Sequence, residues 1–191
     1  MRARFAAALV AVGAALLSTA CTPLRPLVTP AIVATDPHET IATYQGQLSI
    51  KLQAFQAQPA KGVSMGFFFQ GSARRGQLDL MTPLGSQVAR IHWAPGLAIL
   101  SSIDKDDQQF SDIDDLSTQA LGEAIPLPAL MDWLQGHPSD ALPAPTNATP
   151  TGFEQGGWHI GTSEITEGKL LAERPQSDTL RGVTIRIRLD R

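Results

Sequence analysis

From residue 45 the hydrophobic pattern turns to steps of two, broken by turns, and it ends in a clean alternation of Val183, Ile185, Ile187 and Leu189 with Thr184, Arg186, Arg188 and Asp190. Leu48, Ile50 and Leu52 alternate with Gln47, Ser49, Lys51 and Gln53, the pattern of a strand with one wet face. The stretch 62–91 carries the strongest signal. Its incoming side holds Val63, Met65, Phe67 and Phe69, then Leu78 and Leu80; its outgoing side holds Ala89 and Ile91. This predicts two strands joined by the short turn Thr82-Pro83-Leu84-Gly85-Ser86. Pro83 suits the second position of such a turn and Gly85 the fourth. Leu84 then occupies the tip, where a polar residue is expected. It either folds back onto the sheet or touches something apolar outside. Further strands are expected at 87–93, 97–103 and 108–111, separated by Pro95-Gly96 and by the charged turn Asp104-Lys105-Asp106-Asp107.

The period changes in three places. Asp36 and Pro37 open a short predicted helix that ends near Tyr44. Ser111 or Asp112 can cap a second helix carrying Ile113, Leu116, Ala120 and Leu121. Pro128 opens a third, in which Leu127, Leu130, Met131 and Leu134 fall at i, i+3, i+4 and i+7 on one stripe, and Gly136 and Pro138 end it. Residues 138–152, rich in Pro, Ala and Thr, read as a surface connection. Strands resume at 151–154, 158–163, 169–174 and 182–190. The expected fold is mainly β (α+β): about nine to eleven strands in one strongly curved antiparallel sheet. Three short helices cover its concave face, since each has an apolar stripe to bury.

Composition narrows the function. A chain of 191 residues can bury a sizeable core. A net charge of −3 argues against a nucleic-acid surface. One cysteine excludes an internal disulfide framework and a Cys-rich metal site. His38, His92, His137 and His159 are scattered, and the acids at 104–107 and 112–115 lack the glycine and terminal glutamate of a calcium loop. No nucleophile elbow, P-loop or dinucleotide fingerprint is present. The expectation is a protein that is not an enzyme, with no metal or cofactor and no nucleic-acid partner.

The N-terminus is a targeting segment. Arg2 and Arg4 precede an uncharged run, 5–17, too short to span a bilayer comfortably. Ser18-Thr19-Ala20 and then Cys21, the sole cysteine, resemble the lipobox of bacterial lipoproteins. The resemblance implies cleavage after residue 20 and acylation of Cys21; the alternative is plain secretion with a buried thiol. Leucine usually stands three places before the cysteine; here Ser18 does. Thr22 in place of aspartate favours the outer membrane by the sorting rule of such lipoproteins. Residues 1–20 carry Arg2 and Arg4 and no acid, so their loss takes the charge from −3 to −5, which gives no electrostatic attraction to anionic lipid. Residues 21–37, with Pro23, Pro26, Pro30 and Pro37, read as a tether, and 38–191 as the folded domain.

Three features coincide: the lipoprotein start, the run Gly66-Phe67-Phe68-Phe69-Gln70 followed by Leu78 to Ser86, and Pro126-Leu127-Pro128 leading through Trp133 to Gly136 and Pro138. Together they resemble the LolB family of outer-membrane lipoprotein receptors, best over 42–138. The resemblance implies an unclosed antiparallel β-barrel with a helical lid and an apolar cavity. It implies acceptance of acylated lipoproteins from the periplasmic carrier LolA and their placement in the outer membrane. It implies that Leu84 projects and takes part in membrane insertion. The physics agrees with such a pocket. At roughly 0.8 kcal/mol per CH₂, a sixteen-carbon chain costs on the order of 12 kcal/mol to leave in water. Candidate cavity residues are Leu48, Ile50, Met65, Phe67, Phe69, Leu78, Leu80, Ala89 and Ile91, with Leu116, Leu127, Leu130 and Leu134 from the lid; the alternative is that they fill a solid core. The expected partners are a LolA-type carrier, lipoprotein cargo and outer-membrane lipid, with the receptor itself a monomer. A lipid-anchored module binding another hydrophobic ligand, without transfer, is the other reading, and a purely structural envelope lipoprotein is a third.

Overall fold

A computed structural model describes residues 41–190 of the chain. The predicted signal peptide, Cys21 and the tether lie outside the described residues, as does the start of the first predicted helix. Within them, the two-residue period sorts side chains between the faces of one sheet. In the last strand Val183, Ile185 and Ile187 are buried, while Arg186 and Arg188 are exposed. The first, β1 (Ala42–Leu52), buries Leu48, Ile50 and Leu52. These two strands pair with each other although they stand at opposite ends of the domain, Leu48 opposite Ile187 and Ile50 opposite Ile185.

The remaining strands are β2 (Lys61–Gly71), β3 (Gly76–Met81), β4 (Gln87–Ala94), β5 (Leu97–Ser102), β6 (Lys105–Phe110), β7 (Thr146–Thr149), β8 (Gly152–Gln155), β9 (Trp158–Gly161) and β10 (Lys169–Arg174), with Val183–Leu189 as β11. They form one antiparallel sheet in the order β6-β5-β4-β3-β2-β1-β11-β10-β9-β8-β7. The edge strands β6 and β7 do not meet, so the barrel is unclosed. Two helices, α1 (Ile113–Leu121) and α2 (Leu127–Trp133), connect β6 to the second half of the sheet, and a 3-10 turn spans Ile165–Glu167. Trp133 of α2 meets Trp158 of β9 at 6.1 Å between ring centres, while α1 packs on β5 and β6. One helical pair thus touches both halves of the sheet, which must curve around it.

Three expectations need correction. Residues 42–44 are strand, not helix: Ala42 and Tyr44 pair with Gly71 and Phe69, and Tyr44 stacks on Phe69 at 5.9 Å. Ladder bonds and ring packing there outweigh a local helix signal. The incoming side of the central hairpin is two strands, β2 and β3, folded at Gly71–Gly76. In that turn the Ser72 amide donates to the Arg75 carbonyl at 2.8 Å, and Ser72 Oγ accepts from the Arg74 amide at 3.1 Å. Gly76 is required by close approach, since a Cβ there would lie 2.6 Å from the Trp93 ring. Finally, the connection 138–152 contains β7, an edge strand with all four residues exposed and hence no apolar alternation to read.

In α1 the helix signals act as expected. The Asp112 carboxylate accepts from the Asp115 amide at 2.7 Å, capping α1. Gly122 ends it in the left-handed conformation. Helix α2 is buried on more than one stripe, with Ala129, Met131 and Trp133 covered as well as Leu127 and Leu130. Gln155 anchors it: its Oε1 accepts from Trp133 Nε1 and from the Ser139 amide, both at 2.9 Å. Its Nε2 donates to the carbonyls of Ser139 and Pro143 at 2.7 and 3.0 Å. A buried amide with all four bonds made holds α2 and the 139–143 loop on β8.

Candidate functional site: an apolar hollow beside an exposed leucine

The inward rows of β1–β5 are not fully covered by the helices. Between them lies a hollow of about 220 Å³ whose surface is apolar. Leu48, Ile50, Leu78 and Ile91 are buried against its sheet side, and Leu116, Ile125 and Leu127 against its helical side. Val63, Met65, Leu80, Ala89, Leu100 and Leu121 also line it but are only half-buried, because the space they face is empty. Exposed Ala120 marks where it meets solvent beside α1. Within the roof, Ser117 Oγ of α1 accepts from the Ile125 amide at 2.9 Å, which fixes the link to α2 against α1.

Nine expected cavity positions come together around this space: Leu48, Ile50, Met65, Leu78, Leu80, Ala89, Ile91, Leu116 and Leu127. Four others do not line it. Phe67, Phe69, Leu130 and Leu134 are buried in the packed core. Phe69 lies in a stack between Tyr44 and Trp93, 5.9 and 5.7 Å away. Leu130 lies in α2 and is 1% exposed. Strand parity puts Phe67 and Met65 on the same face, so the alternation could not tell filled space from empty space. Val63, Leu100, Ser117, Ala120, Leu121 and Ile125 line the hollow without having been expected. Val63 shares the parity of Met65, and Ala120 and Leu121 stand in the stripe of α1, so those signals were available.

The turn between β3 and β4 stands at the same end of the sheet as the hollow. The Gly85 amide donates to the Thr82 carbonyl at 2.9 Å and the Thr82 amide to the Ser86 carbonyl at 2.8 Å, closing a tight loop. Gly85 has φ of +83°, a conformation other residues adopt only with strain. Leu84 is 94% exposed, so it does not fold back onto the sheet. The hairpin behind it is stiff. On the outer face Arg90 Nε and Nη2 donate to Asp79 Oδ1 and Oδ2 at 2.5 and 3.2 Å, and Gln77 Nε2 reaches Oδ2 at 2.8 Å. The bond to the Asp79 carboxylate raises the guanidinium pKa further above its ordinary value. Sequence reading passed over this pair, though the register of the hairpin sets Asp79 opposite Arg90.

These features define an open antiparallel barrel with a helical cover and an apolar space between them, an arrangement suited to a greasy guest. The sequence model of the family described as "Outer membrane lipoprotein LolB" matches residues 42–191. A Bordetella petrii protein named outer-membrane lipoprotein LolB is 36% identical over 124 residues, covering 61% of this chain and 62% of that protein. Same-named proteins of Cupriavidus pinatubonensis and Bordetella pertussis are 30% and 31% identical, over 80% and 66% of this chain and 73% and 67% of their own lengths. The chain belongs to the LolB family. Its match spans just under two thirds of the Bordetella petrii relative. No helix among the described residues is long and apolar enough to cross a membrane.

Proposed function

We propose that this protein accepts acylated lipoproteins from a LolA-type periplasmic carrier into the hollow and passes them to the outer membrane. In this reading acyl chains on Cys21 hold it at the periplasmic face. The observation that carries the proposal is the pairing of an apolar hollow with a fully exposed leucine on a braced turn at the same end of the sheet. Acyl chains leave water only for an apolar space, and the hollow offers one without a polar group to desolvate. No nucleotide-binding motif is present to drive the step, so transfer runs down an affinity gradient from carrier to hollow to bilayer. At about 220 Å³ the hollow is smaller than the roughly 300–1,000 Å³ of ordinary ligand pockets. A guest with two or three chains therefore requires α1 and α2 to move off the sheet.

The test is reconstitution with purified carrier, acylated lipoprotein and phospholipid vesicles. Cargo should pass from carrier to receptor and then to vesicles. Leu84→Glu should load normally but deliver at least about tenfold more slowly, since a leucine is worth about 1.5–3 kcal/mol when buried in an apolar layer. Equal loss of loading and delivery would reduce the turn to a part of the fold. Loading without delivery by the unaltered protein would favour a binding module of another kind.

A further inference from the structure

Four large apolar side chains are exposed among the described residues: Ile41, Leu84, Ile103 and Leu180. The register places three of them at one end of the sheet. Ser102 pairs with Lys105, which makes Ile103 and Asp104 a two-residue turn between β5 and β6. Strands alternate in direction, so this turn opens at the same end as the β3–β4 turn carrying Leu84 and the β10–β11 loop carrying Leu180. Ile41 precedes β1 at the other end, next to the Ala42–Gly71 pair. Ser102 is also the partner of Ala89, which lines the hollow. Ile103 therefore stands beside the hollow, on the opposite side of β4 from Leu84. It is 73% exposed. A two-residue turn favours glycine, asparagine or aspartate, so the turn itself gives no reason for isoleucine.

We propose that Ile103 is a second membrane-contact residue, entering the bilayer surface together with Leu84 so that this end of the barrel meets lipid at two points. The inference rests on the membrane reading of Leu84. The occupant is a phospholipid surface and not a protein for two reasons. The apolar tips are single side chains on separate hairpins, with Thr82, Ser86, Asp104 and Lys105 around them, whereas a protein interface needs a contiguous apolar centre. A fluid surface closes around isolated tips without such a patch. Charge sets the kind of lipid. Residues 82–87 carry no charge, but Ile103 is followed by Asp104, Asp106 and Asp107 with one Lys105 between them. Neutral headgroups suit both tips, and anionic ones repel the Ile103 corner alone.

The experiment places one added tryptophan in the full-length protein, as Ile103→Trp, Leu84→Trp or Ala94→Trp, on phosphatidylethanolamine–phosphatidylcholine vesicles with brominated chains. Ala94 ends β4 at the opposite end of the sheet and is exposed. The native Trp93, Trp133 and Trp158 are all buried and supply a constant background. The added emission of Ile103→Trp and Leu84→Trp should shift to the blue and be quenched by a third or more; that of Ala94→Trp should not. Phosphatidylglycerol-rich vesicles at low salt should restore emission at 103 but not at 84, and added salt should reverse this. Ile103→Glu should load cargo normally and deliver it severalfold more slowly. Quenching at 84 without quenching at 103 overturns the inference and leaves the Leu84 reading standing. No quenching at either overturns both, and equal quenching at all three overturns the end-on placement.

Discussion

Arg181 is the most deeply buried charged side chain among the described residues, 1% exposed, and its partners are all neutral. Its Nε donates to the Gln53 carbonyl at 2.5 Å, Nη1 to Gln58 Oε1 at 2.9 Å, and Nη2 to the Pro59 carbonyl. One side chain thus pins the β1–β2 loop to the β10–β11 loop at the end that carries Leu84. Arg181→Met should strand those acceptors and cost about 3 kcal/mol, a fall in Tm of roughly 6–12 °C by thermal unfolding. Nearby, the Arg174 guanidinium of β10 pairs with the Glu123 carboxylate from the link between α1 and α2 and lies over the Trp158 ring at 5.3 Å, tying the lid to the sheet. A pH effect arises at His92. Burial first, and Arg90 second, lower its imidazole pKa, against opposing pulls from Asp79 and Asp107. The folded state then binds its proton less readily than the unfolded chain, whose pKa is about 6.5. The stability associated with neutral His92 is complete above that value and is lost as pH falls below it. His92→Gln should flatten the dependence of urea midpoints on pH between about 5 and 7.5 relative to the parent.

At the scale of elements, α1 with the start of α2 forms one wall and the β1–β5 rows the other, and their separation defines the hollow. Ala89 is the smallest inward side chain on β4 that lines it. Ala89→Phe should push a ring into space that holds no protein atoms. We expect cargo loading to fall severalfold in the reconstituted assay while Tm stays level or rises, because the added apolar surface finds a void to fill. A large loss of Tm would mean the wall is already closed at that point. The neighbouring β3–β4 hairpin is built for a different task. Its bidentate Asp79–Arg90 pair and the φ of +83° at Gly85 hold a fixed tip. A flexible loop would let Leu84 collapse onto the sheet and lose its exposure. A hollow under the helices beside a braced, exposed tip is the combination that the proposed receptor role uses.

Across the whole molecule, the sheet is unclosed, its edge strands β6 and β7 are not paired with each other, and the helical pair spans between its halves. If the protein serves as the proposed receptor, its depletion should strand outer-membrane lipoproteins in the periplasm or inner membrane, measured by membrane fractionation. Normal sorting would remove the proposal. Much of this architecture was legible in the chain. Period-two alternation in β1, β2, β4 and β11, the cap at Asp112 and the turn at Thr82–Ser86 are local features, and local periodicity follows directly from backbone geometry. Residues 42–44, the fold at Gly71–Gly76 and the edge strand β7 were not legible, because partners distant in sequence or along an exposed edge made them what they are. The sequence by itself determined which side chains face inward and that Leu84 sits on a tip. Only the tertiary structure decided that Leu84 stays exposed. It also decided that Met65 and Leu80 face a void while Phe67 and Phe69 are packed solid, because parity along a strand assigns a face and only the placement of the helices decides how much of that face is filled.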